Sequence, residues 1–156
     1  MNQSSGSKPS SAEVAKQLEF HLEKQDALCN AIEDIADTLP DDIDPQRCLR
    51  LAMSVLPLVH AAHRFEEEIL FDTLREVNGQ DRQLDQIFER LHGEHFEDES
   101  FAEEISECLR EIASGTQANF EKSGYMMRGF FEGLRRHIAF ERDHLLPMLV
   151  MTPKAS

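Results

Sequence analysis

The chain has 156 residues and a formal net charge of −14, with 30 Asp and Glu against 16 Lys and Arg. That length suits one domain with a substantial core. The charge excludes the basic footprint that nucleic-acid binding requires and disfavours docking on an anionic membrane surface. No apolar run approaches membrane-spanning length, and the N-terminus lacks the apolar segment of a signal peptide. Cys29, Cys48 and Cys108 are isolated and odd in number. They fit a reducing cytoplasm and offer neither a disulfide framework nor a zinc finger. Met1 to Ser10, rich in Ser, Gly and Pro, reads as a disordered tail. Residues 11–152 are expected to form the single domain.

Four amphipathic segments fill that domain. The first runs from about Ser11 to Thr38 behind a serine N-cap, with the apolar stripe Val14, Leu18, His21, Gln25, Leu28, Ile32. The second starts at Asp44-Pro45, an N-cap followed by proline at the first helical position, and ends near Asn78-Gly79. Its stripe reads Ala52, Leu56, Val59, His63, Glu67, Leu70, Leu74. The third opens at Asp81 and closes at Ser114-Gly115, with Leu84, Phe88, Leu91, His95, Glu99, Ala102 and Leu109 inward. The fourth runs from about Thr116 to Leu149 through Met126, Phe130, His137, Glu141, His144 and Met148, and Pro147 should distort its last turn. Strand signals are absent. Short connections between helices of similar length predict an all-α, up-down-up-down antiparallel four-helix bundle.

His21, His63, His95 and His137 each interrupt one stripe. All four lie about 10 to 14 residues from the same end of the bundle, so they share one level. Glu67 and Glu141 follow His63 and His137 by four residues and fall on the same helix face. Imidazole and carboxylate are costly to bury unless something coordinates them, and the set exceeds the needs of one tetrahedral zinc. Two carboxylate-bridged metals would use it well. The other carboxylates of Glu66-Glu67-Glu68 are expected in solvent, as is most of the run Glu97-Asp98-Glu99. His144 reads as a core-edge residue that supports a ligand.

The chain resembles the hemerythrin-like family, also called the HHE cation-binding domain. The resemblance covers about residues 14 to 150. It rests on Phe20-His21, His63-Arg-Phe-Glu-Glu67 followed by Ile69-Leu70-Phe71, Glu94-His95, and His137-Ile-Ala-Phe-Glu141 followed by Leu145-Leu146-Pro147. It implies a non-haem centre of two iron ions, with Glu67 and Glu141 as bridges and His21, His63, His95 and His137 as terminal ligands. The chain departs from the family's oxygen carriers in two ways. It lacks a histidine four residues from His95, where Leu91 and Glu99 stand instead, and its last carboxylate is Glu at four rather than Asp at five. Glu99, His60 or His92 could complete the shell. A ferritin-like layout built on Glu89-x-x-His92 is rejected, because Glu89 falls about 120° from the His95 stripe.

Three functions follow. The first is a di-iron module that binds or senses oxygen, nitric oxide or iron, with metal ions and small diatomic molecules as its partners. The second is a di-iron redox or iron–sulfur repair enzyme. The third is a metal-free structural or interaction bundle. Cys29 and Cys108 are expected off the inner stripes, leaving no thiol placed for redox work, and no catalytic addition is visible. The missing fifth histidine favours sensing or redox reaction over oxygen transport.

Overall fold

A computed structural model describes residues 6–150. The expectations for residues 1–5, 151 and 152 lie outside that range. Among the described residues the regular structure is entirely helical. We label the helices α1 (Ser11–Thr38), α2 (Pro45–Phe65, continuing through Glu66–Leu70 into Phe71–Asn78), α3 (Arg82–Ser114) and α4 (Phe120–Phe140, continuing through Glu141–Leu145 into Leu146–Val150). Each helix packs on the next and α4 returns to α1, which closes the predicted antiparallel bundle; α2–α3 and α1–α4 are the most extensive contacts.

Local chemistry sets the boundaries. Ser10 and Glu13 form a reciprocal capping box at 3.2 Å in each direction, satisfying two orphan N–H groups at the start of α1. Asp44 caps α2 ahead of Pro45, and Asp81 caps α3. Gly79 (φ +73) and Gly115 (φ +76) terminate α2 and α3 in the left-handed region, which costs glycine little. α4 starts four residues later than Thr116 because Asn119 is its cap. Thr116 and Gln117 instead donate their backbone N–H groups to the Glu111 carbonyl at 3.1 and 3.3 Å, closing off α3.

The core is apolar along its length, with Leu18, Leu22, Ile32, Leu91, Ile105 and Phe131 almost completely buried. Each such side chain contributes about 1.5–3 kcal/mol. Both helices that carry the expected glutamate ligands contain one widened, π-helical turn. Phe71 N–H bonds to the Glu66 carbonyl and Leu146 N–H to the Glu141 carbonyl, five residues back rather than four. A π turn holds one residue more than an α turn of the same rotation, so everything beyond it slips by a position. In α4 the inner stripe therefore continues through Leu145 and Leu149, 0 % and 3 % exposed. His144, expected at the core edge, is exposed and lies against the Phe140 ring. Pro147 does distort the last stretch of α4: without an N–H it cannot bond the Asp143 carbonyl, and the turn just before it is the widened one.

The slipped register predicts opposite costs for adjacent residues. Leu145→Ala should destabilise the protein by about 2–5 kcal/mol, and His144→Ala by less than about 0.5 kcal/mol, measured by denaturant unfolding. Equal losses would mean that α4 follows an uninterrupted α-helical register.

Candidate metal centre

The polar interior lies at one level of the bundle. α2 supplies His63 and Glu66, α3 supplies His95, and α4 supplies His137 and Glu141, each no more than 7 % exposed. Their ligand atoms form two overlapping sets, His63–Glu66–His95 and Glu66–His137–Glu141, with donors within 4.8 Å of one another in each. Glu66 belongs to both. Its Oε2 lies 2.7 Å from His95 Nε2 and its Oε1 lies 3.2 Å from His137 Nε2. His137 Nε2 is also 3.4 Å from Glu141 Oε1. The His63 and His95 rings stack with centroids 3.9 Å apart and planes 14° from parallel.

Much of this polarity is unpaired within the protein. Both nitrogens of His63, both carboxylate oxygens of Glu141, His95 Nε2, Glu66 Oε2 and His137 Nδ1 are buried without an aligned hydrogen-bond partner. The 2.7 Å approach of Glu66 to His95 is thus an ion-pair distance rather than a linear hydrogen bond. A buried carboxylate with no donor costs several kcal/mol. Imidazole nitrogens and carboxylate oxygens converging in this way are the donor set of a transition-metal cation. The residues fit such a group.

The charges are divided unequally. Burial alone would raise the Glu66 carboxyl, but His137 and His95 outweigh it and hold it down at about 2. Burial lowers His95 and His137, yet Glu66 more than compensates and both are raised. His63 is pushed down to about 4, first by burial and then by His95 beside it, because two stacked imidazoliums would repel strongly. His63 is therefore a ready neutral donor. His95 and His137 must surrender protons to a cation, so cation affinity should rise with pH through their titration.

Of the residues singled out from sequence, His63, His95, His137 and Glu141 are brought together. Glu67 is not among them. It lies on the flank of α2, 34 % exposed, with its Oε1 3.2 Å from His95 Nδ1 and also hydrogen-bonded by His92. Glu66, expected in solvent, occupies the core. Residues three and four beyond His63 both neighbour it on a helix, and tertiary packing decides between them. The inner face of α2 runs through Val55, Val59 and Ala62, all buried, and Glu66 continues that ladder. His63 sits at its edge, so a step of four carries Glu67 further round. The helical spacing from Val59 to Glu66 was the available signal.

His21 is half-buried on α1 and outside both donor sets; its ring stacks on Phe65 at 4.8 Å. Burial lowers its pKa, opposed by the charge on Glu66. His60 and His92 are exposed, and Glu99 accepts from His60 at 2.7 Å. Cys29 and Cys108, expected off the inner faces, are buried, as is Cys48. The Cys29 S–H approaches the Phe131 carbonyl at 3.6 Å, which ties the thiol into the α1–α4 contact. Asp98, expected at the surface, is half-buried, and burial raises its carboxyl although His137 opposes the shift. It lines a cleft of about 300 Å³ that reaches His137 between Arg90, Glu94 and Arg136. That volume suits a small ligand.

A closed helical bundle that gathers histidines and glutamates from three helices into its interior defines a cation-binding helical module. Residues 15–149 match the Hemerythrin HHE cation binding domain, and the chain belongs to that family. No curated protein and no solved structure is significantly similar to it. Among the described residues no helix is long and apolar enough to cross a membrane.

The unpaired carboxylate makes a specific prediction for metal-free protein. Glu141→Met replaces a buried carboxyl group, neither of whose oxygens has a hydrogen-bond partner, by an apolar side chain of similar length, which removes a desolvation penalty of about 1–3 kcal/mol. The melting temperature of metal-free protein should rise by several degrees. A fall would show that the Glu141 carboxyl is compensated without metal.

Proposed function

We propose that the protein is a hemerythrin-like module that holds two iron ions, with His63, Glu66, His95, His137 and Glu141 as ligands and His21 approaching from α1. One observation carries this reading: Glu66 faces two donor sets, one with each oxygen. A carboxylate divided in this way serves two cations better than one. When bound, the iron pair supplies a centre able to take a diatomic ligand such as oxygen or nitric oxide. The chain holds the donors rigid, screens them from bulk water, and leaves the cleft at His137 for a small molecule to enter. Binding or sensing of such a ligand, or of iron itself, is the role we assign.

The buried thiols favour this role over a redox enzyme. Burial pushes Cys29 up to about 12 and raises Cys48 and Cys108 as well. The thiolate is the reactive form, so none of the three is poised for exchange chemistry. Free thiols also support a reducing, cytoplasmic setting.

Anaerobic reconstitution with ferrous iron, followed by desalting and elemental analysis, should give close to two equivalents per chain. Glu66→Ala should lose most of the metal and His137→Ala at least one equivalent, whereas His60→Ala should retain nearly all. Wild-type protein that stays folded and takes no iron would sink the reading. A ligand present at a hundredfold its dissociation constant stabilises by about 2.7 kcal/mol, so iron-loaded protein should melt several degrees above chelated protein. Coincident melting curves would show that the donors do not form a shared site.

A further inference from the structure

The segment His60-x-x-His63-x-x-x-Glu67 on α2 recurs as His92-x-x-His95-x-x-x-Glu99 on α3. These antiparallel helices form one of the bundle's two most extensive contacts. Antiparallel copies of one pattern are related by a local two-fold axis, which here passes between the stacked His63 and His95 rings. The cross-helix contacts obey it. His60 Nδ1 meets Glu99 at 2.7 Å, and His92 Nδ1 meets Glu67. The same Glu99 oxygen lies 3.5 Å from His63 Nδ1, and the same Glu67 oxygen lies 3.2 Å from His95 Nδ1.

Each carboxylate thus stands between a surface histidine and a core histidine. An ionised carboxylate only accepts, so the imidazole nitrogen facing it must carry the proton. His95 faces a carboxylate on each side, Glu67 at Nδ1 and Glu66 at Nε2, so a cation taking Nε2 would leave the proton on Nδ1 against Glu67. His63 Nδ1 lies 3.5 Å from Glu99 Oε1, close enough for attraction though not aligned as a hydrogen bond. His137 repeats the orientation more loosely, with Nδ1 3.9 Å from Glu94 and Nε2 inward. A metal-binding histidine is held in one tautomer and one rotation by such an outer partner, whose removal weakens metal binding about 10–100-fold.

We infer that Glu67 and Glu99 are positioning residues: each faces the outer nitrogen of a core histidine on the opposite helix, Glu67 by a hydrogen bond and Glu99 by charge at 3.5 Å, is tethered by a surface histidine, and so aims His95 and His63 Nε2 into the donor cluster. The inference rests on the two-iron reading for its effect on metal affinity, but not for its effect on the rings. Both glutamates are half-exposed, at 34 % and 29 %, so their replacement opens no core cavity.

The test uses Glu67→Ala, Glu99→Ala, the double variant, and the Gln versions that keep an acceptor. In metal-free protein above the imidazole titration range, long-range proton–nitrogen NMR reads the tautomer of each histidine. Relative to wild type, each Ala variant should move the ring that its glutamate faced, His95 for Glu67 and His63 for Glu99, away from the Nδ1–H form and toward the Nε2–H form. Ferrous iron titrated anaerobically against a competing chelator should bind about 10–100-fold more weakly to the Ala variants, with full stoichiometry at saturation. The Gln variants should recover most of the loss. Unchanged tautomers or unchanged affinity in the folded Ala variants would overturn the inference. Loss of an iron equivalent from folded Glu67→Ala at saturation would also overturn it, by making Glu67 a ligand. If wild type takes no iron, the two-iron reading fails while the tautomer measurement still decides the positioning role.

Discussion

The interior is organised around one buried carboxylate. Glu66, 1 % exposed, presents one oxygen to an imidazole of α3 and the other to an imidazole of α4. Its charge raises both partners against the effect of burial, while burial and then their company push His63 next door down. Three helices are therefore coupled electrostatically through a single side chain. Such a network is unfavourable to build in an apolar core and worth keeping only where something uses it. The unpaired oxygens of Glu141 say the same from α4. Conformational stability has been traded for a donor set aimed at a cation.

The helices were legible because their signals are local. Ser10, Asp44 and Asp81 are caps by their own chemistry, and Gly79 and Gly115 are stops because φ is positive there. The late start of α4 was not legible. Asn119 and Thr116 are both reasonable caps in sequence, and only the wrapping of Thr116 onto Glu111 separates them.

The site was legible in residue type and less so in residue number. Four buried positions, His63, His95, His137 and Glu141, follow from the apolar periodicity alone. Glu66 and Glu67 differ by one place on a helix where both neighbour His63, and the choice depends on which way α2 is rotated against α3. That rotation is a tertiary quantity. The errors at His144 and Asp98 share a cause, since a uniform helical period extrapolates poorly past a widened turn or onto a face lined by a cleft.

The widened turns also govern which length changes the chain can absorb. Removing the extra residue from Glu66–Leu70 or Glu141–Leu145 would restore an ordinary turn and leave the rest of that helix facing as it does, whereas removing one from an ordinary turn of α2 or α4 would rotate everything beyond it by about 100°. In that second case every inward side chain beyond the deletion would leave the core, while the residues before it stayed put. The same deletion in the connection between Leu39 and Ile43 changes only a loop, where length costs little. The bundle thus has a reading frame of its own, strict in the ordinary turns of α2 and α4 and lax at the widened turns and between helices. Length variation among descendants of this chain should collect in the connections and, within α2 and α4, at the widened turns rather than the ordinary ones.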